Sequence, residues 1–264
     1  MNSPIGIFDS GLGGLTVVRQ VHKLLANESI IYFGDTGRVP YGTRSNETIE
    51  KYAKQDIEFL QKHNVKMIIA ACGTVSSVVP NAGEGLDVPY TGVVIPSARA
   101  AASATKNGKI GAIGTSATIA SHAYKKNINI LNPELSVYEC ACPLFVPIVE
   151  NGMADDIDIV LPAAKKYLLP FAEKGIDTLI LGCTHYPLLK DVIRQILGDG
   201  VTLIDSGEQT AFETAKLLKE HNILSDEKKS DDEFYVSDAV QGFSEIASLF
   251  LGLDISDKTF RANI

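Results

Sequence analysis

The chain has no excess of positive charge. Its 264 residues carry 24 Lys and Arg against 32 Asp and Glu, a formal net charge of −8. Without a basic stripe, no nucleic-acid partner held by phosphate contacts is expected, and no attraction to an anionic membrane surface. A small acidic substrate stays open, because local donors rather than net charge would hold it. Long apolar runs are also missing. The longest uncharged stretch, residues 67–83, is broken by Gly, Ser, Thr, Asn and Pro, so no membrane-spanning helix is expected. The opening Met1-Asn2-Ser3-Pro4 lacks the basic lead and apolar core of an export signal. There are only four cysteines. Without an export signal they read as free thiols in a reducing cytoplasm. Low-complexity tracts are absent, and the one dense charge cluster, residues 225–233, reads as an exposed connection.

Several cofactor signatures are missing too. Asp9-Ser10-Gly11-Leu12-Gly13-Gly14 follows an apolar run. Its glycine spacing fits neither a dinucleotide fingerprint nor a phosphate-binding loop. Its glycines allow a tight turn into a helix, with Asp9 as a cap in the plainest reading. No lysine motif for a pyridoxal cofactor is evident, so no cofactor is expected. Cys140-Ala141-Cys142 with Cys183 and His185 would supply four zinc ligands. The spacing is C-x-C, however, and matches no common zinc site. Cys140 and Cys142 are therefore assigned to sheet packing, and no metal is expected.

Apolar residues make up 45% of the chain and charged residues 21%, the balance of a globular protein with a sizeable core. Short apolar runs alternate with helical patterns. Strands are expected at residues 5–8, 30–33, 67–71, 90–94, 110–113, 136–141, 178–181, 202–205 and 233–236. Helical periodicity follows a cap at Ser45 and recurs at 157–174, 188–197 and 210–218. This alternation predicts α/β architecture with mostly parallel sheets. Nine strands are many for one sheet of this length. Two similar α/β domains facing each other across a central cleft fit better. The expected division is 1–95 plus 207–264 for a discontinuous first domain and 96–206 for the second, with a break near Pro96.

Two cysteines sit in matching settings. Cys72 ends Met67-Ile68-Ile69-Ala70-Ala71-Cys72-Gly73-Thr74, and Cys183 ends Thr178-Leu179-Ile180-Leu181-Gly182-Cys183-Thr184-His185. Ligands of open α/β sheets bind just past the carboxyl ends of strands. Two thiols at two such ends can face each other across one cleft. Opposed thiols are what an enzyme needs to take a proton from one face of a carbon and return one to the other. Either cysteine alone is more often a buried core thiol. The hydroxyl, amide and imidazole donors around both favour acid–base chemistry, since a neighbouring imidazole or helix start lowers a thiol's pKa. His185 would reach Cys183 directly if the chain stayed extended there. Glu150 ends an apolar stretch, either solvated at a helix end or held in the cleft. Gly34-Asp35-Thr36-Gly37 is weak evidence by itself, and Pro40-Tyr41-Gly42 presents backbone amides or simply turns. His22, His63, His122 and His221 sit among charged helical residues and are expected to face solvent.

These segments together resemble the glutamate racemases, cofactor-independent enzymes of bacterial cell-wall synthesis. The matching stretches are Ile7-Phe8-Asp9-Ser10-Gly11-Leu12-Gly13-Gly14-Leu15-Thr16-Val17; Gly34-Asp35-Thr36 with Pro40-Tyr41-Gly42; Ala71-Cys72 with Thr74; and Ile113-Gly114-Thr115 with Ala117-Thr118. Further along come Cys142-Pro143 through Glu150; Leu181-Gly182-Cys183-Thr184-His185-Tyr186-Pro187-Leu188-Leu189; and Leu203-Ile204-Asp205-Ser206-Gly207. They run in order across nearly the whole chain, and the Gly182–Leu189 segment is the most specific.

The resemblance implies that Cys72 deprotonates D-glutamate and Cys183 L-glutamate. It implies that Asp9 assists Cys72, while Glu150 and His185 assist Cys183. Asp9, Ser10, Pro40, Tyr41, Gly42, Gly73, Thr74, Thr184 and His185 occupy substrate-holding positions, with Thr115 and Thr118 in secondary ones. It also implies a homodimer. Gly73 departs from the family pattern, which places Asn there; the missing amide would cost on the order of 1.5–3 kcal/mol. Gly37 is a milder departure, at a position where a small residue such as Ala is usual. Three other readings remain: an aspartate or hydantoin racemase of the same superfamily, a weakened or non-catalytic ligand-binding member, and a metal-site protein.

Overall fold

The computed structural model describes residues 3–228 and 230–263. Met1, Asn2, Lys229 and Ile264 lie outside them, so neither the opening dipeptide nor that part of the charged connection is placed. Two sheets form, and all their pairings among the described residues are parallel. The first has six strands: β1 (Ile5–Asp9), β2 (Ile30–Gly34), β3 (Met67–Ala70), β4 (Tyr90–Gly92), β9 (Glu233–Val236) and β10 (Thr259–Arg261), in the order β10-β9-β2-β1-β3-β4. The second has four: β5 (Lys109–Gly114), β6 (Ser136–Ala141), β7 (Thr178–Leu181) and β8 (Thr202–Asp205), in the order β6-β5-β7-β8. The central strands β1, β2, β3 and β7 are buried along their whole length. Parallel sheets covered on both faces need such unbroken apolar strands.

Helices cover both sheets. They are α1 (Leu15–Leu24), α2 (Asn46–Lys62), α3 (Gly73–Val78), α4 (Val94–Ala104), α5 (Ser116–Ser121), α6 (Ala123–Leu131), α7 (Phe145–Glu150), α8 (Ile157–Lys174), α9 (Lys190–Leu197), α10 (Ser206–Glu220) and α11 (Val240–Leu251). The Ser45 hydroxyl caps α2 through the Thr48 amide, and Asp205 caps α10 through the amides of Gly207 and Glu208. Helix α10 leaves the second sheet and packs against α1 and α4.

The α/β class and the two-sheet arrangement hold, with local corrections. Strand β4 stops at Gly92 because Val94 opens α4. Pro96 therefore lies within the first turn of that helix, where its missing N–H costs nothing. Strand β10 was not expected: three residues at a sheet edge carry too little periodicity. Helix α9 starts two residues late, after a tight turn over Tyr186–Leu189, and α10 is longer than its periodicity suggested. His22 and His63 are half-buried. His22 pairs with Asp232 at 3.1 Å. His63 packs against the rings of Phe59 and Tyr235 and bonds the Phe59 carbonyl.

Candidate active site

Both sheets aim the carboxyl ends of their strands at one cavity of about 410 Å³. Register explains the placement. Phe8 pairs with Ala70, and the Ala71 amide donates to the Phe8 carbonyl at 2.9 Å. Cys72 therefore emerges level with Ser10. In the second sheet Ile113 pairs with Leu181, and the Gly182 amide donates to the Ile113 carbonyl at 2.8 Å. Cys183 therefore emerges beside Thr115. Both thiols line the cavity and both are buried.

On the first wall, the Cys72 thiol donates to the Ser10 hydroxyl at 3.6 Å. Asp9 at the end of β1 is almost wholly buried and accepts the Gly11 amide at 2.9 Å. Burial raises the Asp9 carboxyl above its ordinary range, against the pull of His185 and of the Gly11 and Gly14 amides. Burial, then the nearby Asp9 charge, pushes the Cys72 thiol up to about 12.

The second wall adds an imidazole. Cys183 Sγ lies 3.6 Å from His185 Nδ1, and His185 Nε2 lies 3.1 Å from Glu150 Oε1. Burial alone would depress the imidazole. Its bonds to Cys183 and Glu150 outweigh that effect and push it up to about 10. The contact with Cys183 does not come from an extended chain, as the spacing suggested. His185 has helical backbone angles, and the turn after β7 folds its ring back onto the sulfur. Glu150 combines its two expected settings: it ends α7, is about one-third exposed, and faces the cavity.

Pro40, Tyr41, Gly42, Gly73, Thr74, Thr115 and Thr184 also line the cavity. Thr74 and Thr115 touch through their hydroxyls at 3.0 Å, joining α3 to the second sheet. Thr16 of α1 donates to the Thr184 carbonyl at 2.8 Å, a second tie between the walls. Two residues contribute from behind the lining. Thr118 is fully buried behind the wall, bonded to Thr115 at 3.0 Å, and steadies that residue without lining the cavity. The Tyr41 hydroxyl turns away from the cavity and donates to Asp35 and Asp56.

Those two carboxylates also hold Arg38, at 2.5 and 3.1 Å. The weak Asp35-Thr36-Gly37 signal thus anchors the turn that presents Pro40 and Gly42. Cys142, expected only in sheet packing, is buried at the end of β6 and faces the cavity with Val146 and Pro147 of α7. Val146 and Glu150 stand four residues apart on one helix face, a spacing already present in the sequence. A larger cavity of about 570 Å³ lies against α3 and α4 and contains neither thiol.

Buried acid–base groups gathered on two facing walls make this an α/β fold equipped for proton transfer at a small ligand. A family model described as Asp/Glu/Hydantoin racemase matches residues 5–213. The chain belongs to that family. It is similar to a glutamate racemase of Chlorobaculum parvum, 48% identical over 97% of this chain and 94% of the relative. Among solved structures it resembles a glutamate racemase isoform from Bacillus anthracis, with TM-score 0.95, 41% identity and coverage of 99% of this chain and 98% of that one. It also resembles the Francisella tularensis glutamate racemase in complex with D-glutamate, with TM-score 0.90, 40% identity and coverage of 100% and 97%.

Proposed function

We propose that Cys72 and Cys183 are the acid and base of the reaction this enzyme performs. That reaction is the interconversion of L-glutamate and D-glutamate, the activity carried by the names of its full-length relatives. These relatives do not favour an aspartate or hydantoin racemase, or a non-catalytic binder. The observation that carries the mechanism is the pair of cavity-facing thiols, one on each sheet, each with its own ionisable partner.

The α-proton of an amino acid is a very weak acid. Donors around the α-carboxylate must therefore stabilise the developing carbanion in a closed, dry cleft. Hydroxyls and amides of Ser10, Gly42, Thr74, Thr115 and Thr184 would supply them. One sulfur starts as thiolate and the other as thiol, and one turnover exchanges those states. The thiolate pairs with the His185 imidazolium when Cys183 begins the step, and Asp9 serves Cys72 when the direction is reversed. Approach of the two walls would exclude water and fix the reach of both sulfurs. The division into 1–95 plus 207–264 and 96–206, a homodimer, and a cytoplasmic role feeding D-glutamate to peptidoglycan synthesis belong to the same proposal. No helix among the described residues is long and apolar enough to cross a membrane.

The test is loss of optical rotation from L-glutamate and from D-glutamate, each beside aspartate. Loss with glutamate and none with aspartate is the expected result. Turnover of aspartate alone would overturn the substrate assignment.

A further inference from the structure

We propose that Gly73 is a positioning residue whose missing side chain sets the separation of the two catalytic thiols; this rests on the two-thiol reading above. Gly73 directly follows Cys72, and Gly182 directly precedes Cys183. The two glycines meet across the cleft. A Cβ at position 73 would lie 2.5 Å from the Gly182 carbonyl oxygen, 3.5 Å from its carbon and 3.7 Å from the Cys183 Cα. The first distance is about 1 Å inside the separation at which such atoms attract.

Neither side of the contact can give way locally. The obstacle is backbone, so no side-chain rotation relieves it. Gly182 is held by its own amide bond to Ile113, and its far side rests on the Ile113 carbonyl and the Tyr124 ring. Gly73 is held at the head of α3, where its carbonyl accepts the Ser77 hydroxyl at 2.6 Å. Gly73 is also not among the glycines with positive φ. Backbone conformation therefore does not demand glycine here; the contact across the cleft does. A side chain at 73 would have to push the two thiol-bearing turns apart. Gly42 offers the useful contrast. Its Cβ position lies 3.0 Å from the Thr115 Cβ and 3.3 Å from the outer atoms of that side chain, a looser contact than the 2.5 Å one at Gly73 and one with no backbone atom among the three nearest. Gly73 is thus the hard stop of closure and Gly42 a soft one. This also changes the meaning of the absent Asn: its Cβ would already meet the Gly182 carbonyl.

The experiment compares Gly73→Ala, Gly73→Asn and Gly42→Ala with Gly200→Ala, an exposed position with nothing within 4 Å of an added Cβ. Turnover is read with ordinary and α-deuterated glutamate. Misplacing reacting groups by about 1 Å costs on the order of 10²-fold. Gly73→Ala is expected to lower kcat by about 10- to 100-fold, with a smaller change in KM and a raised deuterium isotope effect. Gly73→Asn is expected to fall further, Gly42→Ala only a few-fold, and Gly200→Ala not at all. Misfolding would reduce the amount of active enzyme without raising the isotope effect, and that pattern would count against the proposal. So would unchanged kcat in Gly73→Ala, or higher kcat/KM in Gly73→Asn. A Gly73→Ala protein that does not fold would also overturn the proposal, since a stop between the two walls leaves each sheet free to form. Wild-type protein without glutamate turnover would overturn the earlier reading before any variant is made.

Discussion

The two walls of the cavity reach the same end by opposite electrostatics. Each places a buried cysteine just beyond the end of a central parallel strand. On the first wall the neighbour is an acid: burial and Asp9 together push the Cys72 thiol up to about 12. On the second the neighbour is a base: Cys183 and Glu150 hold the His185 imidazole up to about 10. On the proposed mechanism, the substrate lies between a sulfur beside a carboxyl group and a sulfur beside an imidazole. A racemase must exchange those roles every turnover, so near-symmetry of position matters more than identity of surroundings. The two sheets differ likewise, six strands against four, while the strand ends that carry the thiols match.

Removing either sulfur is the largest break in this comparison. Cys72→Ser and Cys183→Ser are each expected to lose racemisation by on the order of 10³-fold or more, within the usual range for losing a general acid or base. Circular dichroism should show a retained fold. Near-wild-type turnover by either variant would contradict the pairing.

The helpers come next, and they separate the walls. Asp9→Asn is expected to cost on the order of 10²-fold in kcat. Its α-deuterium isotope effect should rise more with D-glutamate, whose proton the proposal assigns to Cys72, than with L-glutamate. Glu150→Gln should show the reverse preference. An equal rise for both enantiomers in both variants would erase the assignment of helpers to walls.

The pH dependence sharpens the second wall alone. His185 is held protonated up to about 10, well above an ordinary imidazole. Activity that needs the imidazolium is lost as pH rises through that value. The stability this charge contributes is complete below the unfolded imidazole pKa of about 6.5 and disappears on the way up to the folded one. Glu150→Gln removes a charge-assisted bond of about 1.5–3 kcal/mol. The alkaline limb of kcat should therefore move down by about 1–2 pH units. An unmoved limb would mean that Glu150 does not sustain the imidazolium.

The smallest effect is expected from Thr115→Val. It removes the contact with Thr74 and the cap of α5. A cost of about 1 kcal/mol in stability and a few-fold loss of turnover should follow, checked by thermal unfolding and initial rates.

Much of this comparison was legible in the sequence, for physical reasons. The buried strands of parallel sheets are unbroken apolar runs, so β1, β2, β3 and β7 and the residues at their ends could be placed. Long amphipathic helices such as α2 and α8 showed their period. Helices α3 and α7 did not, because six residues span less than two turns, yet they carry Gly73 and Glu150 into the site. The inward turn of His185 onto Cys183 depends on a local helical bend, which i, i+2 spacing cannot reveal. Tyr41 reads as a substrate contact through the resemblance, and it lines the cavity while its hydroxyl turns elsewhere. Its bonds to Asp35 and Asp56 are tertiary, and no local pattern announces them. The Gly73–Gly182 contact joins residues more than a hundred positions apart, and only the packed sheets show it.

The central claim is two bases on two faces, and the most direct test is proton NMR of the enzyme turning over L-glutamate in D2O, followed from the first per cent of reaction. If one sulfur removes the proton and the other returns a different one, early D-glutamate carries deuterium at Cα while the remaining L-glutamate stays protonated. Deuterium appearing in recovered L-glutamate as fast as in the product would place both transfers on a single base and contradict the account.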